Sequence, residues 1–168
     1  MTDTILDNPV TGDCTTLIEP LPNSPVEALT FVTHLAPGAA GSPPHRHSRL
    51  HEEFEVLEGE VEFAVNGNSR SLTAGQSIIV CPGTVHAFRN ASGSAAVLRC
   101  TVTPGHAFER FLRGMHHAAI TGQTNASGLP RDPRRLARLL LNADFHFPAM
   151  PMQVQRTVFR LFAAFAPV

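Results

Sequence analysis

The chain has 168 residues, 43% of them hydrophobic, and its net charge of −1 is spread along its length; one core-forming domain is expected, and neither a basic nucleic-acid footprint nor an acidic tail is present. Three cysteines, Cys14, Cys81 and Cys100, include no CxxC pair, which argues against a disulfide framework or a cysteine zinc site and points to a reducing, cytoplasmic setting. No apolar run reaches the roughly 18 residues of a membrane span, and the N-terminus lacks the basic-then-apolar pattern of a secretion signal.

Residues 1–26 are rich in Pro, Thr, Asp and Asn and read as an N-terminal arm or short edge strands. From 27 to 104 short β-prone runs follow one another: 27–36, 44–48, 52–58, 60–65, 69–73, 77–81, 85–90 and 95–103. Turn-formers separate them, with Asn66-Gly67 as the strongest hairpin signal. Many short strands at regular spacing predict a mainly β sandwich or barrel. Residues 105–168 change period. Phe108, Phe111, Leu112 and Met115 predict a helix over 106–119, and Asp132-Pro133 caps a second, whose apolar face is Leu136, Leu139, Leu140 and Ala143. Val154, Val158, Leu161, Phe162 and Phe165 mark a third. These helices form a C-terminal appendage expected to pack on the barrel or on a dimer partner.

The chemistry concentrates in two stretches. In Gly38–Gly59 the residues His45 and His47 stand two apart on an extended segment, so both imidazoles share one face. On the strand that follows, Glu52, Phe54 and Val56 share a face and place one carboxylate beside them. Glu53 is the alternative ligand, but that register turns Phe54 and Val56 out of the core. In the second stretch, Pro82-Gly83 turns the chain into a strand on which His86, Phe88 and Asn90 share a face. Three neutral imidazoles and a carboxylate suit one divalent transition ion, Fe, Mn, Ni, Cu, Co or Zn, with positions left open for water, dioxygen or substrate. His51 reads as a solvated neighbour, His34 as structural, and Cys81 as a buried, inert thiol. His116 and His117 are consecutive on a helix and diverge, which makes them poor co-ligands.

Together these stretches resemble the cupin superfamily. Its first motif, G(x)5HxH(x)3,4E(x)6G, is matched by Gly38, His45, His47, Glu52 and Gly59 with one extra residue before His45. Its second, G(x)5PxG(x)2H(x)3N, is matched by Gly75, Gly83, His86 and Asn90, with Cys81 in the proline's place and Pro82 next. The match spans about residues 27–103, and HRHSRLHEEFEVLEGEVEF together with FERF at 108–111 is similar to small bacterial single-domain cupins akin to quercetin dioxygenase. The resemblance implies a jelly-roll β-barrel, a metal held by His45, His47, Glu52 and His86, and a homodimer. It also implies dioxygenase chemistry on an aromatic or enolisable small molecule, with Glu52 as both ligand and catalytic base. Cupins also include binding modules, isomerases and decarboxylases, and these alternatives stand beside an oxygenase. The expected partner is a small molecule, not a nucleic acid or a membrane.

Overall fold

The computed structural model describes residues 4–18 and 27–166. In chain order these form β1 (Thr4–Asp7), β2 (Cys14–Ile18), β3 (Leu29–Leu35), β4 (Ser42–His47), β5 (His51–Glu58), β6 (Glu60–Val65), β7 (Asn68–Thr73), β8 (Ser77–Val80), β9 (His86–Arg89) and β10 (Ala96–Thr103). There follow α1 (His106–Ile120), α2 (Pro133–Asn142), β11 (Phe145–His146) and α3 (Met152–Ala163). Of the expected N-terminal arm, residues 1–3 and 19–26 lie outside the described residues.

The strands make two antiparallel sheets, ordered β1-β2-β3-β10-β5-β8 and β11-β4-β9-β6-β7. They face each other as a jelly-roll barrel. Period-two alternation drives the closure: on β5, Glu52, Phe54 and Val56 are buried while Glu53 is exposed and Glu55 only half-buried. Across the register, β10 sets Val102 opposite Glu52 and Cys100 opposite Phe54. Phe63, Leu98 and Val61 complete the centre, each such burial contributing on the order of 1.5–3 kcal/mol. Ile78 and Phe88 are half-buried against it.

Turn chemistry fixes the register. Asn66 and Gly67 both have positive φ, 48° and 83°, the pattern of a two-residue type I′ hairpin between β6 and β7. Gly41 has φ 61°, and a Cβ there would sit 2.1 Å from the Phe88 carbonyl oxygen. Only glycine lets β4 start this close to β9.

The helices form where the period changes. Asp132 accepts a hydrogen bond from the Arg134 backbone N–H at 2.9 Å and caps α2, with Pro133 in its first turn. The third helix forms as expected, with its apolar stripe turned outward. Val154, Val158, Leu161, Phe162 and Phe165 all face outward, 39–74% exposed, and α3 instead turns Gln155 and Phe159 inward. The reason is polar: Gln155 accepts from the Phe147 N–H and donates to the carbonyls of Phe147 and Met150. Those three bonds anchor the turn 147–150 and orient the helix. No helix among the described residues is long and apolar enough to cross a membrane.

Candidate metal centre

His45 and His47 lie on β4, Glu52 on β5 and His86 on β9, so the site joins both sheets. His45 pairs directly with His86 across β4 and β9. All four side chains are buried, between 1% and 4% exposed, and their ligand atoms lie within 4.8 Å of one another. Glu53 points out to solvent on the far side of β5. His51 and His34 are exposed, as is Cys81, which corrects the expectation that this thiol is buried.

The ring orientations are set by the backbone. His45 Nδ1 is 2.8 Å from the Pro43 oxygen, His86 Nδ1 is 3.1 Å from the Thr84 oxygen, and His47 Nδ1 is 2.8 Å from the Ala143 oxygen and 3.2 Å from that of Asp144. A carbonyl only accepts, so each Nδ1 carries the proton and donates it. Each neutral ring then turns a bare Nε2 inward. Those nitrogens meet Glu52: His47 Nε2 is 3.2 Å and His86 Nε2 2.8 Å from Oε2, and His45 Nε2 is 3.1 Å from His47 Nε2. The close approach of His86 and Glu52 lacks hydrogen-bond alignment, leaving both atoms buried without a partner. Four lone-pair donors aimed at one another need a positive charge among them. One divalent ion satisfies all four, and the donor set suits the borderline transition metals.

The ionisation pattern follows from the same crowding. Burial, reinforced by the charges of His86 and His47, pushes His45 down to about 3. His47 is also pushed down by burial, but the Glu52 carboxylate beside it, with the Ala143 and Asp144 carbonyls, raises it above its ordinary value of 6.5. Burial works upward on Glu52, yet His47 and His86 hold it well below the usual carboxylate range. Without metal, one proton on His47 therefore stands in for the ion.

A second ring of contacts comes from the C-terminal segment, which sequence reasoning left unassigned. Strand β11 pairs with β4, setting Phe145 opposite His47. Phe145 stacks on the His45 ring at 4.0 Å and an interplanar angle of 4°. Asp144, 5% exposed and at φ 48°, receives hydrogen bonds from the backbone N–H groups of Ser48 and Arg49 at 2.7 and 2.9 Å and from the Ser48 hydroxyl. It thus clasps the loop between His47 and Glu52. The motif residue Asn90 is no ligand: its amide donates to the carbonyls of Leu35, Ala36 and Ser94 and ties strand ends together.

Above the cluster opens a cavity of about 500 Å³ with His45 and Glu52 on its wall. Its lining is aromatic and aliphatic, including Phe31, Phe54, Phe88, Phe108 and Phe111. The expected helix face of α1 thus borders a cavity as well as a core. The volume is that of a small-molecule site.

Residues 31–108 match the family model for the cupin domain. No curated protein matches the chain. Among solved structures, an RmlC-like cupin from Shewanella frigidimarina is 25% identical, with a TM-score of 0.52, over 62% of this chain and 86% of that one. A protein with a double-stranded β-helix domain from Klebsiella pneumoniae is also 25% identical, with a TM-score of 0.50, over 60% of this chain and 85% of the other. With both motifs in place, both sheets closed and the four ligand side chains converged, residues 31–108 are a cupin domain, and α2, β11 and α3 lie beyond it.

Proposed function

We propose that the chain is a metal-dependent cupin oxidoreductase of the dioxygenase type, acting on an aromatic or enolisable small molecule. The observation that carries this is the join of an aromatic cavity of about 500 Å³ to the His45-His47-Glu52-His86 cluster. Within that cavity, among the described lining residues, there is no Arg or Lys, which favours an uncharged ring system over a phosphorylated sugar.

His45, His47, Glu52 and His86 would hold the ion, which supplies a Lewis acid and a meeting point for substrate oxygen and dioxygen. The chain's own residues do the rest. Phe145 and the Pro43 carbonyl fix His45; the Ala143 and Asp144 carbonyls fix His47. The aromatic walls flank a flat substrate and exclude water. Glu52, on the cavity wall, is the group that would take the proton from an enol or phenol. Its depressed pKa makes it a weak base, so the substrate hydroxyl must itself be acidified when it reaches the site.

The same proposal takes the protein as a cytoplasmic homodimer, in which the outward stripe of α3 is covered by a second copy. The test is metal analysis of untagged protein with dioxygen uptake against flavonols, catechols and β-diketones. About one Fe, Mn, Ni, Cu or Co per chain with substrate-dependent uptake supports an oxygenase. Zinc or no metal, without uptake, overturns it in favour of a binding or isomerase role.

A further inference from the structure

Two residues of the cavity wall carry buried, unpartnered polar atoms that lie outside the metal cluster. Asp13 and Ser42 both line the cavity, and their Oδ1 and Oγ atoms are buried with no hydrogen-bond partner. Asp13 ends the turn between β1 and β2, where its backbone is already fixed: its carbonyl accepts from the Asn8 N–H at 2.9 Å and its N–H meets Thr11 Oγ1 at 3.4 Å. The side chain is therefore not needed to close that turn. Ser42 sits three residues before His45 on β4 and pairs with Phe88 as His45 pairs with His86. By strand rise it lies at most roughly 10 Å from His45.

A buried carboxylate oxygen without a partner is destabilising, more so than a neutral group. Such an atom on a ligand cavity wall is explained when the ligand supplies the partner. A carboxylate oxygen only accepts, so the ligand must donate. A serine hydroxyl can do either. The charged side chains among the described lining residues, Asp13 and Glu52, are both acidic, which disfavours a ligand acid group.

We propose that Asp13 and Ser42 form a recognition subsite for a hydrogen-bond donor, so that the ligand of this cavity is an aromatic molecule bearing a hydroxyl or amine away from the metal and no acid group. The subsite rests on the proposed function in one respect, that the cavity takes the substrate. Asp13 lies outside residues 31–108, so this selectivity belongs to the chain rather than to the matched domain.

Calorimetric titration of the full chain with naphthalene, 2-naphthol, 2-naphthylmethylamine and 2-naphthoate tests it, first with the metal the protein carries and again after chelation. Chelation separates donation to Asp13 from coordination. The expected result in both states is that the alcohol and the amine bind at least tenfold tighter than naphthalene, and the acid more weakly. Asp13→Ala should abolish both advantages, and Asp13→Asn should restore the alcohol's but not the amine's. Metal content should be unchanged in both variants. Ligand-free Asp13→Ala should also melt higher, by about 2–4 °C, because a buried, unpartnered carboxylate oxygen has gone. If naphthalene binds and the donors add nothing, or if their advantage survives Asp13→Ala, the subsite is wrong while the cavity stands. If no probe binds, naphthalene included, the cavity reading fails and the subsite falls with it.

Discussion

Asp144 offers the sharpest test of how the C-terminal segment supports the metal cluster. Its carboxylate takes two backbone N–H groups and one hydroxyl, from Ser48 and Arg49, while its backbone oxygen and that of Ala143 receive the His47 Nδ1–H. Hydrogen bonds to a charged acceptor contribute about 1.5–3 kcal/mol each. Arg49 is exposed and Ser48 half-buried, so water replaces part of that, and a total near ~3 kcal/mol is expected. Backbone geometry adds a separate cost: at φ 48° alanine is disfavoured by roughly 1–2 kcal/mol where glycine is not. Urea unfolding of metal-free protein should therefore show Asp144→Gly less stable by ~3 kcal/mol, Asp144→Ala lower still by ~1 kcal/mol, and Asp144→Asn least affected. Asparagine tolerates that φ and keeps one acceptor. Titration with Co(II) or Zn(II) should show affinity lowered roughly 10- to 100-fold in the glycine variant, the range for losing a group that orients a ligand. A glycine variant with native stability and native metal affinity would refute the clasp.

Three further outcomes are expected. Glu53→Gln should leave metal content unchanged, because Glu53 faces solvent, whereas Glu52→Gln should weaken metal binding beyond the roughly 100-fold of an orienting partner; equal effects in elemental analysis would mean the ligand register is wrong. Metal binding should release about one proton per ion below the raised pKa of His47, and affinity should fall about tenfold per pH unit in that range, since the ligand must be neutral to bind. Protonation competes with metal, so binding strengthens as pH rises; calorimetry in buffers of different ionisation enthalpy that shows no proton release would overturn the extra proton assigned to metal-free His47. Light scattering should find a dimer that Leu161→Glu with Phe162→Glu converts to monomer at unchanged metal content; a monomeric parent protein would remove the proposed role of the α3 stripe.

The quartet of ligand side chains was legible in the sequence because its geometry is local. His45 and His47 share a strand face by parity, Glu52 is separated from Glu53 by the cost of turning Phe54 and Val56 outward, and His86 follows a Pro-Gly turn. The Asn66-Gly67 hairpin and the Asp132-Pro133 cap were legible for the same reason, since a few consecutive residues determine each. Asp144 and Phe145 carried no such mark. They stand 97 and 98 residues from His47, Phe145 in a two-residue strand with no alternation to detect and Asp144 just before it. The direction of α3 was hidden for a related reason: the apolar stripe is the stronger pattern, but one buried Gln155 with three hydrogen bonds outweighs it.

That bonding pattern makes the C-terminal segment part of the site rather than a cover laid over it. Gln155 on α3 fixes Phe147 and Met150 through their backbone groups, and Phe147 directly follows β11. Pairing with β4 then brings Phe145 against the His45 ring and the Ala143 and Asp144 oxygens against His47. A two-residue strand has little stability of its own, so it depends on both ends of this chain of contacts. Phe145, Phe147 and Phe159 also line the cavity, so a shift of α3 moves ligand orientation and pocket wall together. The barrel brings the four donors into range, and the segment beyond the matched domain decides how two of them point and what reaches them.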